Sequence, residues 1–290
     1  MLALLVLVAC SAPPIGEETR PAPAGPAAAP AAKLRPGVAI ASRDAVAGPP
    51  VPYETVTVPA GSFTMGSLPS QAGRDDDEET HVVTVSRPFL LGKGEVTQAL
   101  WGQVMAHDPS TAHDPALPVN QVAWIDGVAF ANALSKRDGL APAYVIAGDE
   151  VTWDPSANGW RLPTESEWEF AARGSPESVH LYAGSSVIEE VAWTKSTSGN
   201  RVHAPCEKAP NQLGLCDMSG NVREWTWDRY APYPSMPEVD PSGPSSGLQR
   251  TLRGGAYSDQ LDQARVSNRN RGLPGVRFGV NGLRLARNAP

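Results

Sequence analysis

Cysteine and histidine are the side chains here with the widest chemical range, and their spacing narrows what they can do. The 290 residues hold five histidines and three cysteines. His81, His107, His113, His180 and His203 form no His-x-His or His-Glu-x-x-His pattern, so no single helix or strand offers a ready metal pair. Three cysteines are too few for an all-cysteine zinc site or a disulfide-rich scaffold. Cys206 and Cys216 lie ten residues apart in a Pro-, Asn- and Gly-rich stretch. The acidic neighbours Glu207 and Asp217 disfavour a reactive thiolate there. In an exported chain the two are expected to pair, and closing so short a loop contributes on the order of 2–3 kcal/mol.

The third cysteine, Cys10, ends the longest apolar run, residues 2–9. That run is too short to span a bilayer, which takes about 20 residues. It reads instead as the apolar region of a secretory signal. Leu7-Val8-Ala9-Cys10 resembles the bacterial lipobox, which implies lipidation at Cys10, and Ser11 after it implies retention in the outer membrane. Residues 11–51 are rich in Pro, Ala and Gly, a composition that cannot bury enough apolar surface to offset its ordering entropy. They are expected to form an extended spacer, leaving residues 52–290 as one domain tethered to a membrane. Formal charge is −7, with no dense Lys/Arg block, which argues against nucleic acid as a partner.

Inside that domain, 29 Pro, 27 Gly and 8 Trp predict many turns held by large aromatic anchors. Alternation over residues 53–58 predicts a strand, turned by Pro59-Ala60-Gly61 into a second over residues 62–66. The run Asp75-Asp76-Asp77-Glu78-Glu79 is expected to be a solvated loop before a strand at residues 81–85. Thr97 is expected to cap a helix over residues 98–105 that turns Leu100, Trp101 and Val104 inward. A second helix is expected over residues 125–136, with Val128, Ala131 and Leu134 on its core face and Gly139 just past its end. Thr164 and Glu167 form a capping box for a helix that begins at Glu165, buries Trp168 and stops at Gly174. No ten-residue segment beyond Gly174 carries helical periodicity. The fold class is therefore α+β, with few helices, short antiparallel strands and a loop-rich second half.

Several motifs, in order, carry a resemblance. They are Gly61-Ser62-Phe63-Thr64-Met65-Gly66-Ser67, Glu95-Val96-Thr97, Pro118-Val119-Asn120 with Trp124, and the segment from Arg161 through Gly174. Gly214-Leu215-Cys216-Asp217-Met218-Ser219-Gly220-Asn221-Val222-Arg223-Glu224-Trp225, Arg253-Gly254-Gly255 and Gly282-Leu283-Arg284-Leu285 complete the series. Together they resemble the formylglycine-generating enzyme (sulfatase-modifying factor) family over residues 55–287. The resemblance implies a variant C-type lectin-like fold. It also implies a copper(I) site in the family's oxidases, formed by two cysteines about five residues apart shortly after Arg-Gly-Gly. Here Asp259 stands where the first would be, Ala256 replaces the serine that usually follows Gly-Gly, and no cysteine follows Cys216. A hard carboxylate does not replace a soft thiolate pair for copper(I). The site is therefore read as vacated at Ala256 and Asp259, with no catalytic residue assigned and no copper expected. Asp259 is expected to pair with Arg253, Arg265, Arg269 or Arg271, because a buried unpaired carboxylate is costly.

The resemblance also implies calcium, matched residue by residue at Asp217, Gly220, Val222 and Glu224. Two acidic side chains and two carbonyls suit a cation that takes six to eight hard oxygens. Arg223 departs from the family there, replacing a tryptophan. The function expected is binding or structural, in the cell envelope, toward a protein, peptide or glycan. Of Trp124, Trp153, Trp193, Trp225 and Trp227, most are expected to be core anchors and one or two to line a groove. The alternative is an oxidoreductase of the wider family, with Asp259 as the acid of a two-histidine-one-carboxylate iron site assembled from distant segments.

Overall fold

A computed structural model describes residues 39–44, 49–148 and 150–290. The expected signal segment, Cys10 and residues 11–38 of the spacer lie outside these. The elements in chain order are strands β1 (Thr55–Val58), β2 (Gly61–Met65), β3 (His81–Val85) and β4 (Phe89–Gly92), then helices α1 (Gln98–Trp101) and α2 (Trp124–Arg137). A hairpin of β5 (Tyr144–Ala147) and β6 (Glu150–Trp153) leads to α3 (Glu165–Arg173) and the short α4 (Ile188–Val191). The rest is β7 (Arg223–Arg229), β8 (Glu238–Val239), β9 (Arg250–Arg253), β10 (Asn270–Gly272), β11 (Asn281–Gly282) and β12 (Ala286–Asn288). Three small sheets, ordered β1-β4-β12, β2-β3-β8 and β10-β9-β7-β11, form around α2 and α3. Most pairings are antiparallel; β3 with β8 and β7 with β11 are parallel. This is the expected mixed α+β architecture.

The local signals for α2 and α3 hold. Thr164 Oγ1 accepts the Glu167 amide at 3.2 Å while the Glu167 carboxylate accepts the Thr164 amide at 2.9 Å. Gly174 ends α3 with φ +72°, a left-handed conformation that glycine adopts without a Cβ clash. Val128, Ala131 and Leu134 of α2 are fully buried. Helix α1 is shorter than the expected 98–105. Thr97 caps it as predicted, but Gly102 closes it after one turn, and Val104 and Met105 reach the core from the turns that follow.

Two further expectations change. The chain docks well before residue 52: the Ile40 amide donates to Asp126 Oδ1 at 2.8 Å, Ser42 bridges Met105, and the Val51 amide donates to Gln103 Oε1 at 3.0 Å. Backbone hydrogen bonds and the burial of Ile40 and Val51 against the core outweigh the spacer-like composition there. The acidic run is not wholly solvated either. Glu78 is fully buried, gripped in bidentate fashion by Arg265 at 2.6 and 2.7 Å and by Ser67 Oγ at 2.6 Å. Burial raises its pKa, but these donors outweigh burial and hold it down at about 2.

The core has an unusual share of enclosed ion pairs. Glu165 receives Arg269 Nε at 2.8 Å and Nη2 at 2.9 Å, and Glu169 receives Arg253 and Arg173. Trp168 lies between these carboxylates along α3, fully buried as expected. Helix α3 is thus an acidic spike whose charges are closed by Arg253 and Arg269 from the loop-rich half, by Arg173 of its own last turn and by Arg161 just before it.

Candidate functional site

Asp259 follows β9 in a tight turn, its amide donating to the Ala256 carbonyl at 2.9 Å. Ala256 is fully buried beneath it. Facing the turn, β7 opens with Arg223, whose Nε and Nη2 donate to the two oxygens of Asp259 at 2.8 Å each. This is a planar two-bond pairing, the strongest geometry open to an arginine and a carboxylate. Both side chains keep a solvent-facing edge, 19% for Arg223 and 10% for Asp259.

The partner differs from the four arginines expected. Arg253 closes on Glu169, Arg265 on Glu78 and Arg269 on Glu165, while Arg271 lies near Asp77 and over the Tyr230 ring. Each has an acid nearer than Asp259, so the pairing falls to Arg223, which stands where the family has tryptophan. Two replacements noted separately in the sequence are thus one structural event. The geometry does not fit copper(I), because the atom that would replace sulfur is a hard oxygen already held by a guanidinium.

Beside this pair, the Asp259 carbonyl accepts the Lys195 amide at 2.9 Å, and Asn221 donates its amide to the Trp193 carbonyl at 2.8 Å. Trp193 stacks on His203 with ring centroids 3.7 Å apart and planes 6° off parallel, and Lys208 Nζ sits 4.1 Å from the Trp193 ring. His203 is tied at both nitrogens, to the Ser198 carbonyl at 2.8 Å and to Glu207 at 3.2 Å. Among the described residues, the one group of three His, Cys, Asp or Glu side chains close enough to share an ion is Asp75, Asp77 and Glu78. It holds no histidine, and Glu78 is already closed by Arg265.

The four residues matched to calcium divide into two kinds. Glu224 is fully buried, and its oxygens receive Arg284 Nη2 at 2.7 Å, Arg284 Nε at 3.0 Å and Trp168 Nε1 at 2.6 Å. Its charge is answered from within the protein. Asp217 is not so closed: Oδ2 accepts the Cys206 amide at 2.6 Å, while the buried Oδ1 has no partner. Gly220 (φ +81°) makes the tight turn between Asp217 and Val222, its amide donating to the Gly254 carbonyl at 2.7 Å. A Cβ there would stand 2.3 Å from the Trp193 carbonyl oxygen, so only glycine fits.

Sequence reading missed Glu95 as a site residue. It is 2% exposed, and neither carboxylate oxygen has a partner. Burial, then the nearby Asp217 charge, pushes its carboxyl well above the usual range. Burial likewise raises Asp217 to about 6. Glu95 was visible as part of Glu95-Val96-Thr97, but its burial depends on contacts far along the chain. Cys206 and Cys216 form the expected disulfide, with Cα atoms 5.0 Å apart, next to Asp217.

Of the tryptophans, Trp124 and Trp225 are buried anchors. Trp153 and Trp227 pack against that core while partly exposed, with Arg250 stacked 3.8 Å from Trp124 and 4.8 Å from Trp227. No helix among the described residues is long and apolar enough to cross a membrane.

Comparison with known proteins agrees with the fold and motifs. The chain is 34% identical over 234 residues to "Chaperone protein LppX" of Paenibacillus barcinonensis, covering 69% of this chain and 78% of that protein. It is 30% identical over 312 residues to the formylglycine-generating enzyme of Streptomyces coelicolor, covering 91% and 96%. Among solved structures, "Treponema denticola variable protein 1" superposes with a TM-score of 0.74 at 32% identity, covering 82% of this chain and 95% of that one. Residues 43–289 match the sulfatase-modifying factor enzyme 1-like domain, and the chain belongs to that family.

Proposed function

We propose that this chain is an exported, lipid-anchored protein of the bacterial envelope, held at the outer membrane through Cys10, whose domain binds a ligand instead of performing copper oxidation. The observation that carries the reading is the Arg223–Asp259 pair. It puts a closed, hard ion pair where the family's oxidases have a soft sulfur ligand. The surface around the pair offers a guanidinium edge, a carboxylate edge and the Trp193 ring with Lys208, groups that suit a protein, peptide or glycan partner. The disulfide is in keeping with an oxidising compartment. A relative named as a chaperone is in keeping with binding as the task.

Calcium belongs to this reading as a structural ion. The unpartnered oxygens of Glu95 and Asp217 fit a hard cation, while Glu224, closed by Arg284, acts as the wall of the site. When bound, the ion supplies the positive charge that lets both buried carboxylates stay ionised. Asp217 and Gly220 hold the turn that leads into Arg223, so the ion would steady that surface rather than take part in it.

The test is to incubate the purified chain with copper(I), dioxygen and a peptide carrying the sulfatase motif Cys-x-Pro-x-Arg, and to follow the cysteine mass. No conversion to the aldehyde is expected. Catalytic conversion that is lost in Asp259→Asn would replace this reading with an enzyme.

A further inference from the structure

A recess lies elsewhere on the domain, and it includes none of Asp259, Arg223, Glu95 or Asp217. It is a cavity of about 670 Å³ between the start of β4, the end of β6, the N-terminus of α3 and strand β12. Its volume is that of a small-molecule site. Its charged side chains are Arg87, Arg161, Arg287, Glu167 and Asp240.

The two acids are both taken. Glu167 is held by Arg161 at 2.6 and 2.7 Å and by the Thr164 amide at 2.9 Å. Asp240 accepts the Ser86 amide at 2.7 Å and the Ser86 hydroxyl. Arg161 and Glu167 cancel. Among the described residues Arg87 has no hydrogen-bond or ion-pair partner, and Arg287 makes a ring contact, 5.5 Å from Trp160. Asp240 keeps its charge, so the side chains of the recess sum to +1, and neither Arg87 nor Arg287 has a carboxylate within ion-pair distance among the described residues.

A separate observation points the same way. Three of the cavity's residues have a buried polar atom without a partner: Trp153 Nε1, Arg161 Nε and Arg287 Nε. All three are N–H donors, so what the recess lacks is an acceptor. Arg161 is itself 3% exposed and lies 5.3 Å from the Trp153 ring, which places these donors in the wall rather than on the surface.

We propose that this cavity binds a small oxyanion, a carboxylate or phosphate group carried on a flat body, with Arg87 and Arg287 as its charge partners and Trp153 beside the body. Guanidinium groups match the planar spread of oxyanion acceptors. This would be a ligand site independent of the Arg223–Asp259 pair.

The experiment is calorimetric titration of the full chain with inorganic phosphate, phenyl phosphate and benzoate, with neutral benzamide as the control. Saturable one-to-one binding of at least one oxyanion, and not of benzamide, is expected. Arg87→Gln and Arg287→Gln should each weaken it by about tenfold, the loss usual for one charged hydrogen-bond partner. Arg87 is exposed, so Arg87→Gln should leave the melting temperature unchanged, which separates lost binding from lost folding. Phosphate-bearing probes binding without benzoate would assign the ligand to phosphates, and the reverse to carboxylates. No saturable binding of any oxyanion, or binding untouched by both substitutions, would overturn the proposal.

Discussion

Helix α3 and the Glu95–Asp217 pair are both acidic and both buried, yet they are built on opposite terms. Along α3 the acids have arginine partners: Glu165 by Arg269, Glu169 by Arg253 and Arg173. At the pair, three carboxylate oxygens of Glu95 and Asp217 are buried with nothing to accept from, although Arg284 stands close by on Glu224. A fold that can supply an arginine next door and leaves these oxygens bare is not short of donors. The difference teaches that burial is answered in two ways here, by arginine pairing along α3 and by a raised carboxyl pKa at Glu95 and Asp217. The Arg87–Arg287 recess is the mirror case, with donors in place of acceptors.

Breaking the scaffold side should give the largest effects. Glu169→Ala would take from the fully buried Arg253 its nearest carboxylate, leaving the carbonyls of Val266, Ser267 and Asn268 and the more distant Glu165. Removing one partner of such a pair costs about 3–5 kcal/mol. Trp168→Ala removes a ring with no exposure and should cost a similar amount, about 3–5 kcal/mol. Urea unfolding of both variants measures this. A loss below about 1 kcal/mol in either would mean that α3 is not the hub described here.

The Glu95–Asp217 side should behave in the opposite sense. Calcium should raise the melting temperature of the wild-type chain. Glu95→Gln should abolish that response without destabilising the calcium-free chain, because it replaces a buried carboxyl that makes no ion pair there. Differential scanning calorimetry with calcium and with chelator distinguishes the two. A calcium-free Glu95→Gln chain that melts well below wild type would show that Glu95 is structural.

Acid should sharpen the same contrast. The Glu78 pKa is depressed from an ordinary 4.5 to about 2, so its pairing contributes stability above the ordinary value and loses it as pH falls toward 2. Glu78→Gln should therefore be less stable than wild type at neutral pH and lose less stability on acidification between those limits. Parallel slopes for the two would refute the assignment. Smaller than the α3 effects should be that of Asp259→Asn, which keeps the side chain's shape and one acceptor oxygen for Arg223.

Much of this was legible in the residues. The capping box of α3, the core stripe of α2 and the disulfide follow from short-range spacing, and the ordered motifs carried the family. What was not legible is of one physical kind: which arginine meets which acid across a long separation. Asp259 meets Arg223, 36 residues away, and Glu78 meets Arg265, 187 residues away. In a loop-rich half, chain direction does not follow from periodicity, so such partners emerge only when the sheets assemble. Glu95 was missed for the same reason, since its isolation depends on what packs over it. Residues 39–44 misled in another way, because their composition suits a spacer while their backbone bridges Met105.

The central proposal, that the Asp259–Arg223 pair replaces copper(I) binding, is open to a single direct measurement. Copper(I) stoichiometry would be determined under anaerobic competition with a chelator, in a Cys10→Ala background that leaves no cysteine outside the disulfide. The chain should bind no copper(I), and adding Asp259→Cys with Ala264→Cys, which rebuilds a pair five residues apart, should bring binding to one equivalent. Tight one-to-one copper(I) binding by the chain that keeps Asp259 would contradict the account.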